Sequence, residues 1–313
     1  MQVWQAPPEA ALDPADSVVT IGVFDGVHRG HQAVVARTVA RAAAGGLRPV
    51  VVTFDPNPLE TLRPDRAPAR VTTLARRLEL IAGLGVGGCL VLHFDAERAA
   101  QSADDFVDEV LVGALHTRAV VVGEGFHFGH RAAGDVDLLT RRGRGAGFTV
   151  EVVPPVGEAS RWSSTLVRSY VTAGQVAAAA AILGRPHEVP GLVVHGDHRG
   201  RALGYPTANL EVPDRLLVPA DGVYAGWARL GPAERWPAAI SVGTNPTFNG
   251  RARQVEGHVL DRDDLDLYGR ELVLEFAEHL RPIERYATVG ELVDQMARDV
   301  AAARSLLRAD SLG

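Results

Sequence analysis

The chain contains no lysine: all 32 residues counted as lysine plus arginine are arginine. That excludes a Walker-A phosphate loop, a Schiff-base nucleophile and a Ser-x-x-Lys pair, each of which needs a lysine amine. A single cysteine, Cys89, excludes an internal disulfide and a cysteine zinc cluster. Set in the apolar run Cys89-Leu90-Val91-Leu92, it reads as a small buried hydrophobe. No apolar run reaches membrane-spanning length, and the opening MQVWQAPPEAALDPADS carries neither a basic nor an apolar leader segment. Positive charge is also short. With 38 acidic residues against 32 basic, the formal net charge is −6, which argues against a general nucleic-acid binder. Anion chemistry must therefore rest on arginine, histidine, backbone N–H groups or a metal. The expected setting is cytoplasmic, with no membrane or nucleic-acid partner.

What remains is 313 residues, 46% of them apolar, enough for two domains of ordinary size. Strand-like runs at 18–24, 49–54, 89–94, 119–123 and 149–153 alternate with helix-like runs at 31–44, 74–84, 103–115 and 136–142. This rhythm predicts an α/β domain with a parallel sheet and crossover helices, in which ligands bind beyond the carboxyl ends of the strands. Helical patterns continue over 164–183. At Gly184-Arg185-Pro186 the rhythm changes to short, Gly/Pro-punctuated strands at 191–194, 207–211, 222–230, 238–242, 255–261 and 271–276. These predict a small antiparallel β-barrel, followed by an amphipathic C-terminal helix over 289–307. The domains are set at 1–185 and 186–313.

Residues 18–31 read VVTIGVFDGVHRGH. An apolar strand ends in Phe24-Asp25-Gly26, and Gly26 suits a sharp turn. His28 and His31 stand three apart, with Gly30 between them, at a helix start, so they share one face. There the helix dipole and free N–H groups favour an anion. A second such pattern is Trp162-Ser163-Ser164-Thr165-Leu166-Val167-Arg168. Ser163 or Ser164 caps a helix, and Arg168 lies one turn past Ser164 on the same face. Farther on, residues 191–210 read GLVVHGDHRGRALGYPTANL. Gly196 and Gly200 belong to a glycine-rich loop whose backbone N–H groups can take phosphates. In the extended segment after it, Thr207 and Asn209 face the same way. A hydroxyl and an amide oxygen are hard ligands suited to Mg²⁺ beside phosphates.

The strand–HxGH–helix arrangement resembles the Rossmann-like nucleotidyltransferase domains. The longer string GVFDGVHRGH resembles more specifically the adenylyltransferase half of prokaryotic bifunctional riboflavin kinase/FAD synthetases. The SSTxxR element at Ser163, Ser164, Thr165 and Arg168 fits the same family. So do GRxLGxPTAN, ending at Asn209, and Val255-Glu256-Gly257-His258. The resemblance runs from about 18 to 303. It implies FAD biosynthesis: the second domain phosphorylates riboflavin to FMN, and the first adenylylates FMN to FAD with loss of pyrophosphate. ATP is the implied co-substrate of both steps and Mg²⁺ the implied cofactor.

By that resemblance His28 and His31 contact ATP phosphates. The turn through Gly22, Phe24, Gly26 and Gly30 lets the backbone approach the nucleotide, and Asp25 orients the turn or binds metal or ribose. Ser163, Ser164, Thr165 and Arg168 hold the triphosphate. Glu256 orients and deprotonates the ribityl hydroxyl, with His258, two residues on, as second choice. Phe54, Asn57, Gly125, Phe126 and Phe128 are candidates to flank the flavin in the first site, and Tyr268 and Arg281 in the second. Two positions depart from the family. By the resemblance, Gly125 stands where the family usually has Asp or Asn, and Trp162 where a small aliphatic residue usually precedes the serines. They motivate one alternative, a monofunctional riboflavin kinase with an impaired adenylyltransferase domain. A flavin-binding protein without turnover is a second alternative. Glu256, Thr207 and Asn209 argue against it, because binding alone needs neither a base nor metal ligands.

Overall fold

Valine-rich strands form the centre of the first half of the chain. The structure, a computed structural model, describes residues 1–5, 15–157, 161–195, 203–247, 250–262 and 264–310, with backbone alone at 245–247, 250–252 and 309–310. Two compact units result, Met1–Ser164 and Thr165–Gly313. In the first, the elements in order are β1 (Gln2–Gln5), β2 (Ser17–Ile21), α1 (Arg29–Gly45), β3 (Arg48–Asp55), α2 (Pro58–Leu62), α3 (Leu74–Ala82), β4 (Gly88–His93), α4 (Ala96–Ala100), α5 (Ala103–Phe106), a π-helix (Val107–Ala114), β5 (Thr117–Gly123), α6 (Val136–Ala146) and β6 (Thr149–Val153). The strands form one six-stranded sheet in the order β1-β4-β3-β2-β5-β6, parallel throughout. Both faces are covered, which is why β2 is buried along its whole length. Alternation along the strands decides what each face meets. Val51, Cys89 and Val91 pack with Val35 of α1 and Ile81 of α3. Val50, Val52, Leu90 and Leu92 pack with Phe106, Leu111 and Leu139 on the other side.

Beyond the short helices α2 and α4, which the sequence reading did not include, three features of the first unit differ from it. Strand β1 is an addition, pairing parallel with β4 at the sheet edge. The run 18–24 stops as a strand at Ile21, before Phe24, which takes a left-handed conformation with φ +52° and turns the chain out of the sheet. The helix over 103–115 divides into α5 and the π-helix, whose wider turn shows in Leu115 N–H donating to the Val110 carbonyl at 3.1 Å, five residues back.

The second unit begins with α7 (Ser164–Thr172, its first residue being the last of the first unit) and α8 (Val176–Leu183). Strands β7 (His187–Val194), β8 (Ala208–Glu211), β9 (Gly222–Leu230), β10 (Glu234–Thr247), β11 (Gly250–Val259) and β12 (Glu271–Arg281) follow, then α9 (Val289–Asp310). The strands close into a barrel in the order β10-β11-β8-β7-β12-β9. Inward residues such as Val189, Ile240, Val255, Leu274 and Phe276 fill its core. The compact unit takes in two helices that precede the change of rhythm at 184–186. Val176 of α8 is buried in the barrel cluster, and Ala220 N–H donates to the Val171 carbonyl at 3.2 Å.

Candidate active sites

In the first unit the turn after β2 builds the histidine pair. His28 is the N-cap of α1, its Nδ1 accepting from His31 N–H at 3.3 Å. With Nδ1 an acceptor, the neutral ring carries its proton on Nε2. The two imidazoles stack with centroids 3.6 Å apart, and Phe24 meets His31 edge-on at 5.2 Å. Burial, then the charges of His28 and Arg77, hold the His31 pKa well below its ordinary value, so this ring is neutral at pH 7. Its buried Nδ1 has no hydrogen-bond partner. A Cβ at Gly30 would lie 3.0 Å from the His28 ring, so glycine there leaves the stack undisturbed. Phe24 and Val27 both take positive φ, +52° and +41°, which is strained for side-chain-bearing residues and concentrates at functional turns.

Asp25 is spent on holding that turn. Its buried carboxylate accepts from Val71 N–H at 3.0 Å and Thr72 N–H at 3.1 Å, and the Thr72 hydroxyl accepts from Gly26 N–H at 3.2 Å. Of the roles open to Asp25, this is the orienting geometry. Helix α7 begins at Ser164, with Ser163 just before it. The Ser164 hydroxyl donates to the Asp25 carbonyl at 2.8 Å, which joins the serine element to the histidine turn. The Arg29 guanidinium lies 5.8 Å over the Trp162 ring. Thr165 and Arg168 continue α7 within the second unit.

Beyond the carboxyl ends of β2, β3 and β5 lies a cavity of about 1040 Å³. Gly22 lines it, and so do four of the five flavin candidates: Phe54, Gly125, Phe126 and Phe128. The rings of Phe126 and Phe128 stack at 5.4 Å. Asn57 is not in the lining; it caps α2, accepting from Leu59 N–H at 3.0 Å. Gly125 has φ +77°, a conformation that Asn and Asp reach more readily than other side chains.

In the second unit the Thr207 hydroxyl donates to the Glu256 carboxylate at 3.2 Å. Asn209 of β8 stands opposite Glu256 of β11 in the strand register, and Ser241 of β10 stands opposite it on the other side. Thr207 falls just before β8 but keeps its alternation. Ala208 and Leu210 are buried, while Thr207 and Asn209 are half-buried. The His258 Nδ1 lies 2.8 Å from the Pro206 carbonyl. A cavity of about 310 Å³ is lined by Thr207, Ser241, Glu256, His258, Arg281 and Tyr286, among others. Arg281 makes a two-pronged ion pair with Asp299 of α9, at 2.9 and 2.7 Å. Tyr268 is not in that lining. It stacks on His195 at 4.2 Å, because its turn is pinned to the end of β7 by Gly269 N–H donating to the Val193 carbonyl at 2.9 Å. Gly196 and Gly200 lie outside the described residues. Among the described residues no group of three or more His, Cys, Asp or Glu could hold a metal ion. Thr207 and Glu256 bring a hydroxyl and a carboxylate together, and Asn209 stands opposite Glu256 in the register; oxygen donors of this kind suit Mg²⁺ beside phosphates.

One residue of the first site escapes the sequence reading. Arg77 is 5% exposed; it donates to the Val23 carbonyl at 2.7 Å and faces Asp55 at 3.5 Å. Its buried Nε has no partner, and burial lowers its pKa from the ordinary value. The signal was present in the spacing. Leu74, Arg77, Leu78 and Ile81 fall at i, i+3, i+4 and i+7, so Arg77 shares the apolar face of α3. Burial also pushes the nearby Cys89 thiol up to about 12, which makes it inert.

Comparison with known proteins gives two domains in the same order. The family pattern described as FAD synthetase matches residues 11–166, and that described as riboflavin kinase matches 183–307. A bifunctional riboflavin kinase/FMN adenylyltransferase of Pseudomonas fluorescens is 42% identical over 92% of this chain and 92% of its own length. That of Escherichia coli strain K12 is 39% identical over 96% and 94%. A crystal structure described as a macrolide-efflux protein from Streptococcus pneumoniae matches with a TM-score of 0.89 and 31% identity, over 97% of this chain and 99% of the other. Among the described residues no helix is long and apolar enough to cross a membrane. With both patterns matched in this order, and relatives this similar over nearly their whole length, the chain belongs to the bifunctional riboflavin kinase/FMN adenylyltransferase family.

Proposed function

We infer that this chain carries out two steps of FAD biosynthesis, making FMN from riboflavin and ATP in its second unit and FAD from FMN and ATP in its first. The carrying observation is the approach of Thr207 to Glu256 at 3.2 Å in the wall of a cavity, with Asn209, outside that lining, opposite Glu256 in the strand register. A carboxylate oriented by a hydroxyl suits abstraction of a proton from an alcohol. In the kinase step the ribityl 5′-hydroxyl oxygen attacks the γ-phosphorus of ATP, Glu256 takes its proton, and ADP leaves. Mg²⁺, when bound, neutralises phosphate charge; Thr207 and Asn209 would hold it, and the glycine-rich loop with Gly196 and Gly200 would take phosphates through backbone N–H groups.

In the adenylyl step an FMN phosphate oxygen attacks the α-phosphorus of ATP and pyrophosphate leaves, so no protein nucleophile is needed. The work of the residues is alignment and charge stabilisation. His28 donates from Nε2 to a phosphate oxygen, beside neutral His31 and the N-terminus of α1. The roles of Ser163, Ser164, Thr165 and Arg168 follow from the family motif: they hold the leaving pyrophosphate. Phe54, Phe126 and Phe128 offer apolar faces to the flavin. The functional domains are taken as 1–185 and 186–313, and the protein as cytoplasmic, with riboflavin, FMN and ATP as its partners and neither nucleic acid nor membrane among them.

The test is product analysis with riboflavin, ATP and Mg²⁺, following FMN and FAD separately. Wild type makes both. Glu256→Gln stops FMN formation yet still converts added FMN to FAD. FMN without FAD would establish the monofunctional kinase instead, and neither product would leave a flavin binder.

A further inference from the structure

The pairing of β8 with β11 stops one residue short of the threonine it serves. Its registered pairs are Val255 with Leu210, Glu256 with Asn209 and Gly257 with Ala208. Thr207 lies beyond the last of them, and Pro206, lacking an N–H, can donate nothing to a ladder. Yet the Thr207 hydroxyl is aimed at the Glu256 carboxylate, which demands a fixed peptide plane just ahead of it. The bond that the ladder omits comes from a side chain. His258 and Glu256, two apart on β11, project to the same face and both line the cavity. Glu256 meets the side chain of Thr207, and the His258 Nδ1 lies 2.8 Å from the carbonyl of Pro206. That carbonyl belongs to the peptide bond leading into Thr207, so holding it holds the plane from which the Thr207 side chain departs. On its other side the His258 ring meets Tyr205 edge-on at 5.4 Å.

We propose that His258 is a positioning residue for the kinase step: its Nδ1–H clamps the Pro206 carbonyl and thereby sets the Thr207 hydroxyl against Glu256. A carbonyl only accepts, so Nδ1 is the donor and the neutral ring has its proton there. The inference rests on the kinase reading of the second unit. It assigns His258 no proton transfer, only the placing of the group that orients the base and faces the phosphates.

The test compares His258→Leu with His258→Asn, two side chains of similar size of which only the second carries a donor near the position of Nδ1. In FMN formation by the full chain, His258→Leu lowers kcat/KM for Mg·ATP about tenfold and leaves the KM for riboflavin within about twofold, while His258→Asn recovers to within about threefold of wild type. An asparagine variant as impaired as the leucine variant, or a leucine variant equal to wild type, overturns the clamp. A loss confined to the riboflavin KM also overturns it. Nitrogen-15 NMR of histidine-labelled wild type reads the tautomer directly and does not depend on how the variants fold. The proton sits on Nδ1 of His258 if the clamp exists and on Nε2 if it does not. Wild type that makes no FMN would remove the kinase reading, and the clamp with it as a catalytic device, while the tautomer would still report whether the hydrogen bond is made.

Discussion

The hydroxyl of Ser164 donates to the backbone carbonyl of Asp25 at 2.8 Å, across 139 residues of chain. Ser164, the last residue of the first unit, is thus bonded to the turn that carries the histidines. The Asp25 side chain holds the same turn from the opposite direction, through Val71 and Thr72. Ser164→Ala removes the bond without adding bulk. FAD formation from added FMN falls about tenfold, the scale of one partly buried hydrogen bond at a site proposed to work by alignment, while FMN formation is unchanged. Separate assays of the two products check this, and equal losses in both would point to general unfolding.

The pieces of this site differ in how far the sequence announces them. Strand runs, the histidine pair, the SSTxxR element and the Thr207/Asn209 pair are local patterns, and α1, α7 and β8 begin close to where these place them, while β2 ends early, at Ile21. The bond from Ser164 to Asp25 and the approach of Thr207 to Glu256 depend on tertiary pairing, which no local spacing contains. Tyr268 and Asn57 lie outside the linings of the two cavities; the stack of Tyr268 on His195 is a tertiary contact that local spacing does not contain, while the capping of α2 by Asn57 is local. Arg77 lay between the two cases, because its place on the apolar face of α3 was legible while the partner waiting there, the Val23 carbonyl, was not.

His31 makes the first unit sensitive to acid. Its ordinary pKa is 6.5, and burial holds the folded value well below that. Above about pH 6.5 neither the folded nor the unfolded chain carries this proton, and the stability is fully present. As pH falls below that point the unfolded chain gains the proton and the folded one does not, so stability is lost until the folded ring also titrates. Amide exchange of β2, followed from about pH 7.5 to about pH 5, should therefore show weakening protection as pH falls. His31→Asn, which cannot titrate, flattens that slope; an unchanged slope would assign the effect to other groups.

Gly125 sits in the lining of the large cavity with φ +77°. A Cβ there would have Arg161 Nη1 at 3.6 Å, ordinary contact distance, as its nearest neighbour in space beyond the flanking residues. Room therefore exists, and the backbone conformation decides which side chain fits. Gly125→Asn is tolerated, since Asn enters the left-handed region readily, and it adds a hydrogen-bonding group to the cavity wall. The KM for FMN in FAD formation falls several-fold, with the KM for ATP unchanged. Gly125→Val, branched at Cβ, destabilises the first unit by about 1–2 kcal/mol. Thermal unfolding and FMN titration of both variants measure the two effects.

Gly226 tests the barrel in the same spirit, but here space rather than φ is limiting. It lies in β9, which pairs with β10 on one side and β12 on the other. A Cβ at this position would stand 2.0 Å from the Glu275 carbonyl oxygen and 2.8 Å from Ile240 Cδ1. The first of these is backbone, so no rotamer change relieves it, and the strand must move away from β12. Gly226→Ala therefore destabilises the second unit by about 3 kcal/mol or more. Gly243→Ala is the matched control, since a Cβ there meets nothing within 4 Å, and its effect stays within about 1 kcal/mol. FMN formation collapses on warming in Gly226→Ala and survives in Gly243→Ala.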